Sequence, residues 1–323
     1  MGVARTSVSA LTLLAAMAIS ARATAHDHWL VPDPLVTSRP TDVTLRLYVG
    51  DEFVADEEKP FERARIVAFR QYAGSAAAID LDSVAKDGAI PFFTALALPA
   101  GMHLFAIERN AAHIELPAAK FEDYLREEGL DAVVAERARR GESGLPGRET
   151  YERAIKALVV VGDAHDETFG VVTGSAIELV PASDPTVTDG SPLRVAARFR
   201  AAPLVGTRVE LLTRADGRVD RQVATTDASG NATFVTPAEG VHLLRAVHMV
   251  RCDGCSDADW HSYWTAYAFA SAPRGATIHP PPMTSPRPTR RWPVILAVTG
   301  IAVAALVAML IVRRSRRRPV RPA

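Results

Sequence analysis

Apolar residues alternate with polar ones over short stretches, and that period of two predicts strands. Val43, Leu45 and Leu47 fall on one side of such a run, with Thr44, Arg46 and Tyr48 on the other. Residues 64–70 read as another strand, and Pro99-Ala100-Gly101 reads as a turn into a strand over Met102–Glu108. The period then changes. Phe121, Tyr124 and Leu125 recur at helical spacing with Gly129 as the stop, and Tyr151, Ile155 and Leu158 repeat that spacing before Val159-Val160-Val161-Gly162. From Ala176 to Ala270 alternation returns, as in Leu193–Phe199 and Arg208–Leu212. Thr225–Phe234 holds a turn at Asp227–Gly230 between two β runs.

The pattern predicts a mainly β fold. Two β-sandwich domains of immunoglobulin-like type are expected at residues 26–117 and 170–272. A helical segment at 118–169, with its helices ending near 158, should join them.

Both ends carry membrane signals. Arg5 precedes an apolar run from Val8 to Ile19, and Ala23-Thr24-Ala25 supplies a small-x-small cleavage pattern, so residues 1–25 read as a signal peptide. Ala21-Arg22-Ala23 also fits the pattern. Near the other end, residues 294–312 are nineteen in a row without charge or proline, long enough to cross a bilayer as one helix. Six arginines follow at 313–323 and three precede, which places the tail in the cytoplasm and the bulk of the chain outside it. The proline-rich residues 273–293 read as an extended spacer, up to roughly 60 Å long at about 3.1 Å per residue. The expectation is a single-pass protein of the cell membrane, its bulk periplasmic or extracellular.

Charge sharpens this. Lys and Arg number 37, as do Asp and Glu. Setting aside the arginines of the signal and tail leaves 29 basic residues against 37 acidic ones, a net of −8 outside the membrane. That balance favours cations over nucleic acid. Cys252 and Cys255 are the sole cysteines, and in an oxidising compartment they read as a short-loop disulfide.

The sequence also narrows the chemistry. It has no nucleophile elbow, no phosphate-binding glycine loop and no His-Glu-x-x-His helix. Cleavage after Ala25 would free an α-amine on His26, with His28 two residues on. An amine, the next amides and an imidazole at position three can hold Cu(II) or Ni(II) in a plane of nitrogens. Alternatively, the amine and ring of His26 chelate the metal together, with His28, His248 and His113 as further ligands. If cleavage instead falls after Ala23, His26 itself is third and the planar chelate survives. His248 sits in a strand-like run where a core or rim position is the plainer reading. Asp51, Glu52, Asp56, Glu57 and Glu58 lack the spacing of a cation loop and read as a solvated loop.

Several segments together resemble one family. They are His26-Asp27-x-Trp29, Leu45-x-Leu47-x-Val49-Gly50-x-x-Phe53, Phe121–Leu130, Lys156–Gly162, Thr226-Asp227-x-x-Gly230-x-Ala232-x-Phe234, Ala246–Met249 and Asp259-Trp260-x-Ser262-Tyr263-Trp264-Thr265. In order and spacing they are similar to bacterial extracytoplasmic proteins related to the periplasmic component of nickel and cobalt uptake systems. The resemblance implies two β-rich domains with helices between them and a role in handling nickel, cobalt or copper. It matches the leading histidine to His26 and the histidine before the Trp-rich strand to His248. Where such proteins often carry an apolar residue, this chain has His28. A metal permease or another envelope protein would be the partner. Two other functions fit the same residues: a non-enzymatic envelope module binding protein or glycan, and a copper-dependent oxidative enzyme using the His26 chelate.

Overall fold

In the computed structural model, which describes residues 26–187 and 190–284, the alternating runs become strands. The chain begins with β1 (Asp27–Asp33), β2 (Val36–Thr37), β3 (Thr41–Asp51) and β4 (Val54–Lys59). Next come β5 (Ile66–Tyr72), β6 (Ile79–Asp80), β7 (Phe93–Leu98) and β8 (Gly101–Leu116). Two helices, α1 (Ala118–Glu127) and α2 (Asp131–Arg139), lead to β9 (Gly147–Val161). Then follow β10 (Ile177–Pro181), β11 (Leu193–Phe199), β12 (Ala202–Pro203) and β13 (Arg208–Ala215). The last are β14 (Arg218–Thr225), β15 (Asn231–Phe234), β16 (Gly240–Arg251) and β17 (Trp260–Ser271).

These strands make three sheets. The largest runs β14-β13-β16-β17-β9-β8-β5-β6, with β2 also on β9. One small sheet is built on β3, flanked by β1 on one side and by β4 and β7 on the other; a second is built on β11 with β10, β12 and β15. The fold is mainly β. Its sheets do not follow the division expected at residues 118 and 170, because the large sheet takes β5 and β8 from before it and β13, β14, β16 and β17 from after it. The described residues up to Met283 belong to one compact unit.

The two faces of the large sheet carry different cores. On β9, Ile155, Ala157, Val159 and Val161 pack beneath the first small sheet with Trp29, Leu45 and Phe69. Ala154, Leu158 and Val160 pack on the other face with Leu179, Val195 and Ala197. Here a sequence expectation fails: Tyr151, Ile155 and Leu158 lie in β9, not in a helix. A central strand buried on both faces is apolar at successive positions, so the period of two disappears and chance helical spacing is left. The expected helical segment thus reduces to α1 and α2. Phe121, Tyr124 and Leu125 do form the buried side of α1, packing on Val247, Trp260 and Trp264 of the large sheet.

The spacer expectation also changes. Ile278 and Leu35–Val36 exchange backbone hydrogen bonds of 2.9 Å, Ala55 N donates to Met283 O at 2.7 Å, and the Met283 side chain is buried. Residues 276–283 therefore lie against β2 of the large sheet and β4 of the first small sheet. Cys252 and Cys255 are disulfide-bonded in the turn between β16 and β17. The expected signal peptide at 1–25, span at 294–312 and tail at 313–323 lie outside the described residues; among those described, no helix is long and apolar enough to cross a membrane.

Candidate metal centre at the start of the first strand

The acidic run after Gly50 is a hairpin and not a loop. Asp51 closes β3, Glu52 and Phe53 make the turn, and Asp56 lies in β4. On the other side of β3, β1 pairs Asp27 with Gly50, which sets His26 beside Asp51. The His26 Nδ1 is 3.1 Å from both Asp51 carboxylate oxygens and 3.9 Å from Asp56 Oδ2. Ligand atoms of the three residues lie within 4.8 Å of one another, and no other His, Cys, Asp or Glu trio converges this way among the described residues. The backbone is anchored too, since Arg153 Nη2 donates to His26 O at 2.9 Å.

The donor set fits a transition metal. Ligand atoms about 2.0–2.2 Å from a metal sit roughly 3 to 4 Å from each other, and both carboxylates lie at that spacing from His26 Nδ1. Nδ1 is also the ring nitrogen able to close a six-membered chelate with its own residue's α-nitrogen. An imidazole with two carboxylates suits borderline and harder divalent ions alike.

His28 plays another part. Its Nδ1 is 2.9 Å from Arg109 Nη1, and a guanidinium can only donate, so the imidazole lone pair is taken. Burial first, then the Arg153 and Arg109 charges, hold its pKa well below the usual histidine value. A neutral ring accepting at Nδ1 carries its proton on Nε2, which leaves no nitrogen for a metal. The planar chelate through His28 also needs the amides of both Asp27 and His28, and of two successive residues of β1 one turns its N–H toward β3.

Nor do the two remote histidines join His26. His248 faces away from the first small sheet: its ring is 4.6 Å from Phe199 of β11, whereas Arg245, at opposite parity on β16, reaches Asp27. Burial, then Arg200, lowers its pKa. His113 pairs in register with Thr150 and is bound to its hydroxyl at 2.9 Å, with Asp257 at 3.5 Å. On β9, Thr150 and Arg153 have opposite parity, so His113 too lies across the sheet from His26.

A polar cavity of about 610 Å³ adjoins the trio, lined among others by Asp27, Asp51, Glu52, Glu128, Arg221 and Arg245. Buried Arg245 bonds Asp27 at 2.9 Å, Glu210 at 3.2 Å and also Glu128. Burial outweighs the attraction of Arg245 and pushes Glu128 up to about 7; it raises Asp27 as well. The sequence offered Asp51 and Glu52 only as a solvated acidic run, and it did not single out Arg245 or its carboxylate partners as a cluster. The available signal was the pairing of two apolar runs, which would align the residue before Asp27 with the one after Gly50.

The molecule is thus a mainly β protein with a histidine–carboxylate cluster at the start of its first strand. The chain belongs to the DUF4198 family, described as a domain of unknown function, whose model matches residues 23–250. No curated protein matches it.

Proposed function

We propose that this is a membrane-anchored extracytoplasmic transition-metal-binding protein, an accessory in the uptake or handling of nickel, cobalt or copper. The observation carrying the reading is the convergence of Asp51 and Asp56 on His26 Nδ1. Signal cleavage after Ala25 would add the α-amine to that set, giving two nitrogens and two carboxylates. Both carboxylates are exposed, so an ion could be handed on to a permease or envelope partner without unfolding the site. The choice of nickel or cobalt rests on the family resemblance; Cu(II) should bind most tightly in isolation, because nitrogen and oxygen sites favour it over other divalent first-row ions.

The test is N-terminal sequencing of the mature protein, then Ni(II), Co(II) and Cu(II) titration of a form with one extra residue ahead of His26. The extension separates the amine from the His26 ring, and affinity should fall. Unchanged affinity would sink the terminal chelate and bring forward a protein- or glycan-binding envelope module.

A further inference from the structure

Asp51 and Asp56 are carried by a turn that its own sequence disfavours. Glu52 and Phe53 have φ of 51° and 61°. Two-residue hairpin turns with both φ positive normally take Asn-Gly, and a bulky residue there is a conformational outlier. The bulge beside the turn is tight as well: Val49 pairs with Glu57 and Gly50 with Ala55, so Asp56 is the extra residue, and a Cβ on Gly50 would stand 2.0 Å from Val54 O. Something outside the hairpin has to hold this shape.

We infer that Arg214 is the positioning residue of the metal centre, a proposal resting on the reading of His26, Asp51 and Asp56 as that centre. Arg214 lies on β13, in the large sheet, and reaches over to the hairpin. Its Nη1 donates to Phe53 O at 2.9 Å and its Nη2 to Pro282 O at 2.7 Å. One guanidinium thus binds the turn and the returning segment 276–283 together. The next residue of that segment holds the other side of the turn, through the Ala55 N to Met283 O bond. The Phe53 ring is buried edge-on against Trp29, at 5.7 Å between centroids, which pins the turn from below.

Arg214 is costly to place. Burial lowers its pKa, and its Nε is shut off from solvent without a hydrogen-bond partner. The return on that cost is the fixed spacing of two carboxylates on facing strands. Like charges on an unclamped turn would spread, and the ligand atoms would no longer lie within reach of one ion.

The experiment uses the full chain in detergent, titrated with Co(II) and read by visible absorption, with unfolding followed in parallel. Arg214→Met should weaken Co(II) binding by about tenfold or more and change the absorption bands, as outer supports of metal ligands do. Arg214→Lys, which can reach one carbonyl but not both, should fall between. Glu52→Gly in the Arg214→Met background should recover affinity, because glycine takes positive φ freely. If Arg214→Met does not fold, Arg214→Lys with and without Glu52→Gly decides the matter. Wild-type affinity and spectrum in folded Arg214 variants would overturn the inference, even with lowered stability. A wild-type chain that binds no Co(II) would overturn the centre itself, and this inference with it.

Discussion

Asp27 and Arg245 meet at 2.9 Å across 218 residues of chain. The contact joins the first strand, one residue after His26, to the middle of the large sheet. Glu128 and Glu210 share the same guanidinium, bringing α1 and β13 to the same point. Glu210 has Arg208 and Arg221 as well, each at 2.5 Å, so Asp27 and Glu128 depend most on Arg245.

Replacing Arg245 by Met should therefore leave buried Asp27 and half-buried Glu128 without their main counter-charge. The expected loss is about 3–5 kcal/mol at pH 8, the usual cost of breaking a buried ion pair from one side. At pH 5 the loss should shrink. Burial already holds Glu128 at about 7 and raises Asp27, and without Arg245 both would take up protons more readily. Urea unfolding of wild type and R245M at the two pH values measures the difference; an equal loss at both would contradict this account.

Glu149 gives a second pH-dependent prediction. It is buried under α1, accepting from Tyr124 at 3.0 Å and from Ser262, while its second oxygen has no partner. Burial pushes its pKa up to about 7, against an ordinary value of 4.5. Because the folded pKa is the higher one, this group's contribution is fully present below pH 4.5 and is lost as pH rises through 7. The loss should approach about 3 kcal/mol at its largest, from some 1.4 kcal/mol per pKa unit. Glu149→Gln removes the titration, so its unfolding free energy should be flatter between pH 5 and 8 than that of wild type. Parallel curves for the two proteins would rule the explanation out.

Local signals in the sequence predicted the parts that are locally determined. Val43, Leu45 and Leu47 do face the core from β3, and Phe121, Tyr124 and Leu125 do seat α1. Burial on both faces hid β9, since Ile155 and Leu158 serve opposite cores. The proposed centre was half legible. His26 stood out beside a cleavage pattern, but Asp51 and Asp56 come to it only through the register of β1 and β4 on β3, a long-range pairing. His28 and His248 fit the composition of a metal site and are diverted by neighbours no spacing rule contains, Arg109 and Phe199. The return of residues 276–283 to β2 and β4 was masked by prolines, which suit a free spacer as well as a bound one.

The proposed centre ranks its two carboxylates. Both oxygens of Asp51 lie 3.1 Å from His26 Nδ1, while Asp56 approaches to 3.9 Å and is the more exposed of the two. An ion held by the Nδ1 lone pair would engage Asp51 with little movement and draw Asp56 in. Asp51→Asn should therefore cost more affinity than Asp56→Asn. Each should lose at least the tenfold to hundredfold, roughly, that removing an outer support costs, because a direct ligand is being weakened. Neither change should disturb folding much, since both side chains are exposed and exposed substitutions stay within about 0.5 kcal/mol. Calorimetric titration with Ni(II) and Co(II) at pH 7.5, beside a thermal melt of each variant, separates the two effects. Equal, wild-type affinities in both variants would remove the carboxylates from the site and leave His26 as an ordinary surface histidine bound to an acidic hairpin.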